Sequence, residues 1–142
     1  MTAKKFLERA LQLDERIGSH VAELNQYRRL AMNITSSRLD ERVSHSAPNE
    51  APFVKWVERI VDKEKEINEE IDRLVAIKLE ISSFIDRIDN PRWQCLLRSR
   101  YVMCRPWAAV AEEMNYGMSS VYRIHKQIMA VLDKKTVVGE SQ

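Results

Sequence analysis

Apolar residues recur along the front of the chain at alternating steps of four and three. Phe6, Ala10, Leu13, Ile17, His20, Leu24, Tyr27 and Ala31 follow the spacing that lays one stripe of side chains down a helix to meet another helix. A second series runs through Phe53, Val57, Ile60, Glu64, Ile67, Ile71, Leu74, Lys78, Ile81, Ile85 and Ile88. It predicts a helix from about Ala51 to Asp89, on the order of 55 Å long at 1.5 Å per residue. Asn49 with Pro52 marks its start. Asn90-Pro91 ends it and opens the next helix with a capping side chain and a proline at the first position. Between the two helices, residues 34–49 are polar and without sustained periodicity, which predicts a flexible linker. Such a linker lets the first helix fold back on the second or reach across to a partner chain, and the sequence leaves both open. Three polar residues interrupt the stripes: His20, Glu64 and Lys78. Their stems can lie along an apolar groove, with Val21, Val61, Val75 and Ile77 turning in beside them. Alternatively, they set the register of the pairing. Glu66 and Glu70, near Lys63 and Arg73, read as a solvated helix face.

Beyond Asn90 the pattern breaks into shorter pieces. Val110, Ala111 and Met114 give a short helix one apolar side, and Val121, Ile124, Ile128 and Leu132 give the next helix another, at i, i+3, i+7 and i+11. Ala111 is small enough for the second helix to cross close above it, and Asn115 and Gly117 are residue types that tolerate positive φ in the turn between. This is helix-turn-helix spacing, whose second helix fits the major groove of B-form DNA. With Val121, Ile124 and Ile128 inward, Met118, Ser119, Tyr122, Arg123 and Lys126 share the outward side near the helix start, with Ser120 between them. The guanidinium of Arg123 can bond two acceptors on guanine at once, whereas Lys126 suits a phosphate. Tyr122 and Met118 can pack on thymine methyl groups. Arg98, Arg100 and Arg105 are placed to clamp flanking phosphates, and the amides that open the helix at Pro106 to meet another. Trp93, Leu96, Leu97, Tyr101 and Trp107 recur at helical spacing beside apolar partners and read as core.

The segments Asn90-Pro-Arg-Trp-Gln-Cys-Leu-Leu-Arg-Ser-Arg-Tyr-Val-Met103, Trp107 to Ile124 and Ile128-Met-Ala-Val-Leu132 together resemble region 4 of sigma-70-type factors, which reads promoter DNA. With its long helical front half, the whole chain is similar to a family of small phage and prophage proteins of Gram-positive bacteria grouped with ArpU-like late transcription regulators. Two positions depart from that pattern. Pro106 stands where the family usually has a capping Thr or Ser, and Gly117 stands where a Ser or Thr commonly opens the recognition helix. Pro and Gly keep the geometry but remove two hydroxyls able to touch phosphate. The resemblance implies a regulator of transcription, acting near a promoter and with host RNA polymerase as a further partner.

Composition narrows the picture. Three glycines and four prolines among 142 residues, with 31% charged, describe a helix-rich chain, and no apolar run approaches a membrane span. The first residues enter a charged amphipathic pattern instead of a signal-peptide core, so the cytoplasm is expected. Residues 1–89 hold 15 Lys and Arg against 17 Asp and Glu, whereas residues 90–142 hold 8 against 4, so the helix-turn-helix end is the basic one. A net +4 there is small for a lone DNA reader, which points to a homodimer. Cys95 and Cys104 are too few for a disulfide framework and read as reduced packing residues. His20, His45 and His125 share no metal-ligand spacing, and no HExxH, GxSxG, Walker or GxGxxG run occurs. Neither a metal, a cofactor nor enzyme activity is expected.

The expectation is therefore an all-α protein. Residues 1–89 form a long helical hairpin or coiled coil for association, residues 90–135 form a three-helix, region-4-like DNA-binding domain, and residues 136–142 form a disordered tail. Its expected function is sequence-specific binding of double-stranded DNA to control transcription of phage late genes. Two other classes stay open: a phage terminase small subunit, although that usually places its DNA motif first, and a coiled-coil protein-interaction module without DNA binding.

Overall fold

The computed structural model describes the backbone of residues 1–40 and 50–140 and the side chains of residues 1–34 and 52–135. Among the described residues the chain is all-α, with five helices: α1 (Ala3–Asp40), α2 (Glu50–Asp86), α3 (Pro91–Leu97), α4 (Trp107–Met114) and α5 (Met118–Glu140). A single π-helical turn, Arg98–Val102, continues α3. Helix replaces expected irregular structure in two places. The start of the expected linker, residues 34–40, belongs to α1, and residues 136–140 of the expected tail belong to α5. Once nucleated, a helix gains a hydrogen bond with each residue added, so polar residues without an apolar stripe can extend it. The rest of the linker, with His45, and residues 141–142 lie outside the described residues.

The chain divides into two compact units, and the division differs from the one expected at residue 89. One unit joins Met1–Asp14 to the chain from Arg73 onward, and the other is Glu15–Asp72. In the first, Ala3, Leu7 and Ala10 of α1 are buried along with Ile81, Ile85 and Ile88 near the end of α2 and with Leu96, Leu97, Tyr101, Val110, Val121, Ile128 and Leu132. Phe6 and Phe84 meet with ring centroids 5.2 Å apart, and Arg9 lies over the Phe6 ring while its guanidinium sits 3.0 Å from Glu80. The Asp133 carboxylate of α5 accepts the amide of Ala3 at 2.9 Å. A negative group at the first turn of α1 satisfies an otherwise orphaned donor and complements the helix dipole. At this same end of the long pair, the Gln94 side chain donates to the Ile85 carbonyl at 3.2 Å, closing the last turn of α2.

In the second unit α1 and α2 pair antiparallel within the chain. Tyr27 packs on Trp56 at 5.4 Å, Arg28 bonds Glu64 at 2.8 Å, and His20 bonds Glu70 at 2.5 Å. The stripe on α1 is inward as expected, from Ile17 to Ala31. On α2 every second expected position shifts by one. Phe53, Ile60 and Ile67 face inward, but Trp56, Lys63 and Glu70 take the places expected for Val57, Glu64 and Ile71. Val57 and Ile71 are exposed, as are Val21, Val61 and Val75, and of the four residues expected to turn inward only Ile77 is half-buried. The cause is geometric. Positions 56, 63, 70 and 77 lie seven apart, so a rotation that covers the large indole of Trp56 and the side chain of Ile77 carries Lys63 and Glu70 with it. Glu66 keeps the expected half-solvated position and pairs with Lys63 at 3.2 Å, but Glu70 does not belong to a solvated face: it is 1% exposed.

Candidate nucleic-acid interface

The helix-turn-helix begins from a well-made cap. Asn90 is extended, and its side-chain oxygen accepts the amides of Arg92 at 3.1 Å and Trp93 at 3.2 Å, with Pro91 in the first helical position. After Leu97 the helix widens into the π turn, in which the Met103 amide reaches back to the Arg98 carbonyl at 2.8 Å. The wider turn is followed by Cys104 in the left-handed region at φ 55°. For a non-glycine residue that conformation costs about 1 kcal/mol or more, and neighbouring bonds hold it. The Arg105 amide reaches the Ser99 carbonyl at 3.1 Å, and Arg100 donates to the Arg105 carbonyl at 2.9 Å. Pro106 then caps α4 from outside the helix without a side-chain bond. Of the two residues able to tolerate positive φ between α4 and α5, Asn115 takes it, at φ 60°, and Gly117 does not; the Gly117 carbonyl accepts the Val121 amide as α5 begins. Ala111 is buried beneath the crossing, as its size requires.

The outward face of α5 carries the expected set. Met118, Ser119, Tyr122, Arg123 and Lys126 are exposed on it, while Ser120 is half-buried. Tyr122 rests edge-on against Trp107, with ring centroids 5.4 Å apart. Among the described residues neither Arg123 nor Lys126 forms an ion pair. The three arginines expected as phosphate clamps are differently placed. Arg98 pairs with Asp86, and Arg105 pairs with Glu113, whose carboxyl is held below the ordinary range first by the Ser99 hydroxyl and then by Arg105. Arg100 lies over the Trp107 ring at 4.5 Å and is committed to the turn. Their charges are largely engaged within the protein.

Behind α5 lies a polar contact that the spacing of residues did not suggest. Tyr101, 1% exposed, shares a hydrogen bond of 2.6 Å between its hydroxyl and Nε2 of His125, and the imidazole stands edge-on to Trp107 at 4.7 Å. Burial, followed by the charges of Lys4 and Arg100, pushes the His125 pKa down to about 4, and burial pushes the Tyr101 pKa up to about 12. The neutral ring thus joins α5 to the π turn through Tyr101 and to α4 through Trp107. Of the two cysteines, Cys95 is exposed and not a packing residue, whereas burial raises the Cys104 thiol.

Residues 51–133 match a protein family described as "Protein of unknown function (DUF1492)". The chain belongs to that family. The matched residues run from the first turn of α2 into α5, so both the second long helix and the helix-turn-helix lie within what the family shares. No curated protein and no solved structure matches the chain. Among the described residues no helix is long and apolar enough to cross a membrane.

The other polar cluster that spacing missed lies between α1 and α2, where His20, Glu66 and Glu70 bring their ligand atoms within 4.8 Å of one another. The residues are far apart along the chain. The signal available was the pairing itself: His20 interrupts one stripe at the height where Glu70 enters the other.

Proposed function

We propose that this member of the family is a sequence-specific DNA-binding regulator of transcription, with α5 as its recognition helix. The observation that carries the reading is the contrast among its cations. Arg98 and Arg105 are spent on acidic neighbours and Arg100 on a turn, while among the described residues Arg123 and Lys126 have no acidic partner on the one helix that a helix-turn-helix offers to the major groove. An exposed Tyr122 and Met118 beside them supply apolar contact of the kind thymine methyls accept. The likeness to region 4 of sigma-70-type factors and to ArpU-like regulators supports a site near a promoter, control of phage late genes and a contact with host RNA polymerase.

Selection of bound duplexes from random DNA, followed by titration of variants, tests this. Arg123→Ala is expected to cost about 1 to 3 kcal/mol on the selected site and to relax preference at one base pair, because a bidentate contact to a base edge is lost. Lys126→Ala is expected to weaken selected and scrambled duplexes alike and to reduce the salt slope by about one. A specificity ratio that Arg123→Ala leaves unchanged removes Arg123 from base reading. No enrichment of any sequence by the full-length protein rejects the regulator and favours a protein-interaction module.

A further inference from the structure

The polar cluster between α1 and α2 carries an inference independent of DNA binding. Glu66 and Glu70 lie one turn apart on α2, so both carboxylates face the same side, towards His20 of α1. Nδ1 of His20 is 2.5 Å from Oε1 of Glu70 and 3.8 Å from Oε1 of Glu66. Glu70 is 1% exposed, and its second oxygen is buried without a hydrogen bond. The nearest cation to that oxygen is the Arg16 guanidinium, 3.1 Å away on a side chain that is 63% exposed. A carboxylate taken out of water is costly unless its charge is met at close range, and an ion pair whose cation stays largely hydrated meets it incompletely.

We propose that His20, Glu66 and Glu70 form a site for a divalent cation of the zinc type, which ties α1 to α2. One imidazole and two carboxylates are a ligand set that zinc accepts, and Lys63, which bonds Oε2 of Glu66 at 3.2 Å and Glu23 at 3.3 Å, leaves Oε1 of Glu66 for the ion. Ligand atoms around a tetrahedral zinc stand roughly 3 to 3.5 Å apart at bond lengths near 2 Å. The shorter of the two His20 contacts must open and the longer must close, both within reach of side-chain rotation. The ring binds through Nδ1, so the proton it now shares with Glu70 moves to Nε2. Arg16 stays on the other oxygen of Glu70 and orients it. Glu66, 45% exposed, opens the fourth position to water. Since the ligands come from both helices, the ion favours the paired helices over the separated ones.

Purified full-length protein, freed of metal with a chelator, is titrated with Zn2+ by calorimetry and with Co2+ by visible absorption. One equivalent per chain, a tetrahedral Co2+ spectrum and a raised melting temperature are expected. Glu66→Gln removes one anionic ligand at a half-exposed position while keeping an amide oxygen for Lys63, which bonds Glu66 at 3.2 Å, and is expected to lower the affinity at least about tenfold in the folded protein. His20→Gln is expected to abolish binding. Cys95→Ser, which alters an exposed thiol elsewhere, is expected to change nothing. The site is rejected if no stoichiometric binding occurs, which leaves a buried ion pair only. It is also rejected if Glu66→Gln binds as tightly as the parent or Cys95→Ser abolishes binding, because the ion then sits elsewhere.

Discussion

At the scale of single residues, the helix-turn-helix is governed by backbone conformation and by one buried ring. Gly117 opens α5 without positive φ, and a Cβ built there meets nothing within 4 Å. Neither strain nor crowding therefore requires glycine. Gly117→Ser is expected to stabilise the protein by about 0.4 to 1 kcal/mol, by restricting the unfolded chain and adding a capping hydroxyl, and thermal unfolding measures it. Cys104, at φ 55°, is the opposite case, a side chain carried in a conformation that suits glycine. His125 adds a dependence on pH. Its pKa falls from the ordinary 6.5 to about 4 through burial first and then through Lys4 and Arg100, so the folded state disfavours the charged ring. The stability linked to this group is complete above pH 6.5 and is lost as pH falls from there towards 4. His125→Gln, which keeps an acceptor for Tyr101 but cannot titrate, is expected to flatten the fall in melting temperature over that interval. An equally steep fall in the variant assigns the loss to other groups.

At the scale of elements, the sequence was legible where one physical cause decides and opaque where two compete. The cap and proline at Asn90-Pro91, the apolar sides of α4 and α5 and the outward set on α5 followed from spacing and from residue type alone. The π turn at Arg98–Val102 left no comparable mark, because its residues suit an α-helix equally well. On α2 two stripes offset by one residue were both available. Hydrophobicity favoured the stripe with Val57 and Ile71, but the packing of half-buried Trp56 on Tyr27 and the partners that α1 offers to Lys63 and Glu70 favoured the other. Cross-helix partners of this kind cannot be read before the pairing is known. The register makes a sharp prediction for two isoleucines four residues apart. Ile67→Ala is expected to cost about 2 to 5 kcal/mol in chemical denaturation, whereas Ile71→Ala is expected to stay within about 0.5 kcal/mol of the parent. Equal losses at the two sites restore the stripe that hydrophobicity alone suggests.

At the scale of the whole molecule, the sequence drew its boundary at residue 89 because the apolar period changes there. Burial does not respect that change: Leu7 and Ala10 from the start of α1 and Ile81 and Ile85 from α2 are fully covered within the unit that holds the helix-turn-helix. A period describes one helix at a time, and the long-range return of residues 1–14 leaves no local trace. The intrachain pairing of α1 with α2 also changes the argument for self-association, since the expected stripe is occupied within one chain. Within Glu15–Asp72, Val54, Val57 and Val61 remain 49, 39 and 56% exposed at steps of three and four on α2. That spacing is what a second helix of the same kind packs against, and β-branched residues there suit two-stranded pairing. Under the DNA binding proposed above, the weak charge of the basic end gives a reason to expect two copies, because linking two readers multiplies affinity for paired half-sites without any new DNA contact. Sedimentation of the full-length protein at micromolar concentration is expected to give a dimer. The double variant Val57→Glu, Val61→Glu, altered only at exposed positions, is expected to sediment as a folded monomer that binds a single half-site as the parent does but loses its preference for paired half-sites. A parent that sediments as a monomer at every concentration ends the case for a homodimer, and a dimer that the double variant leaves intact places the contact on another face.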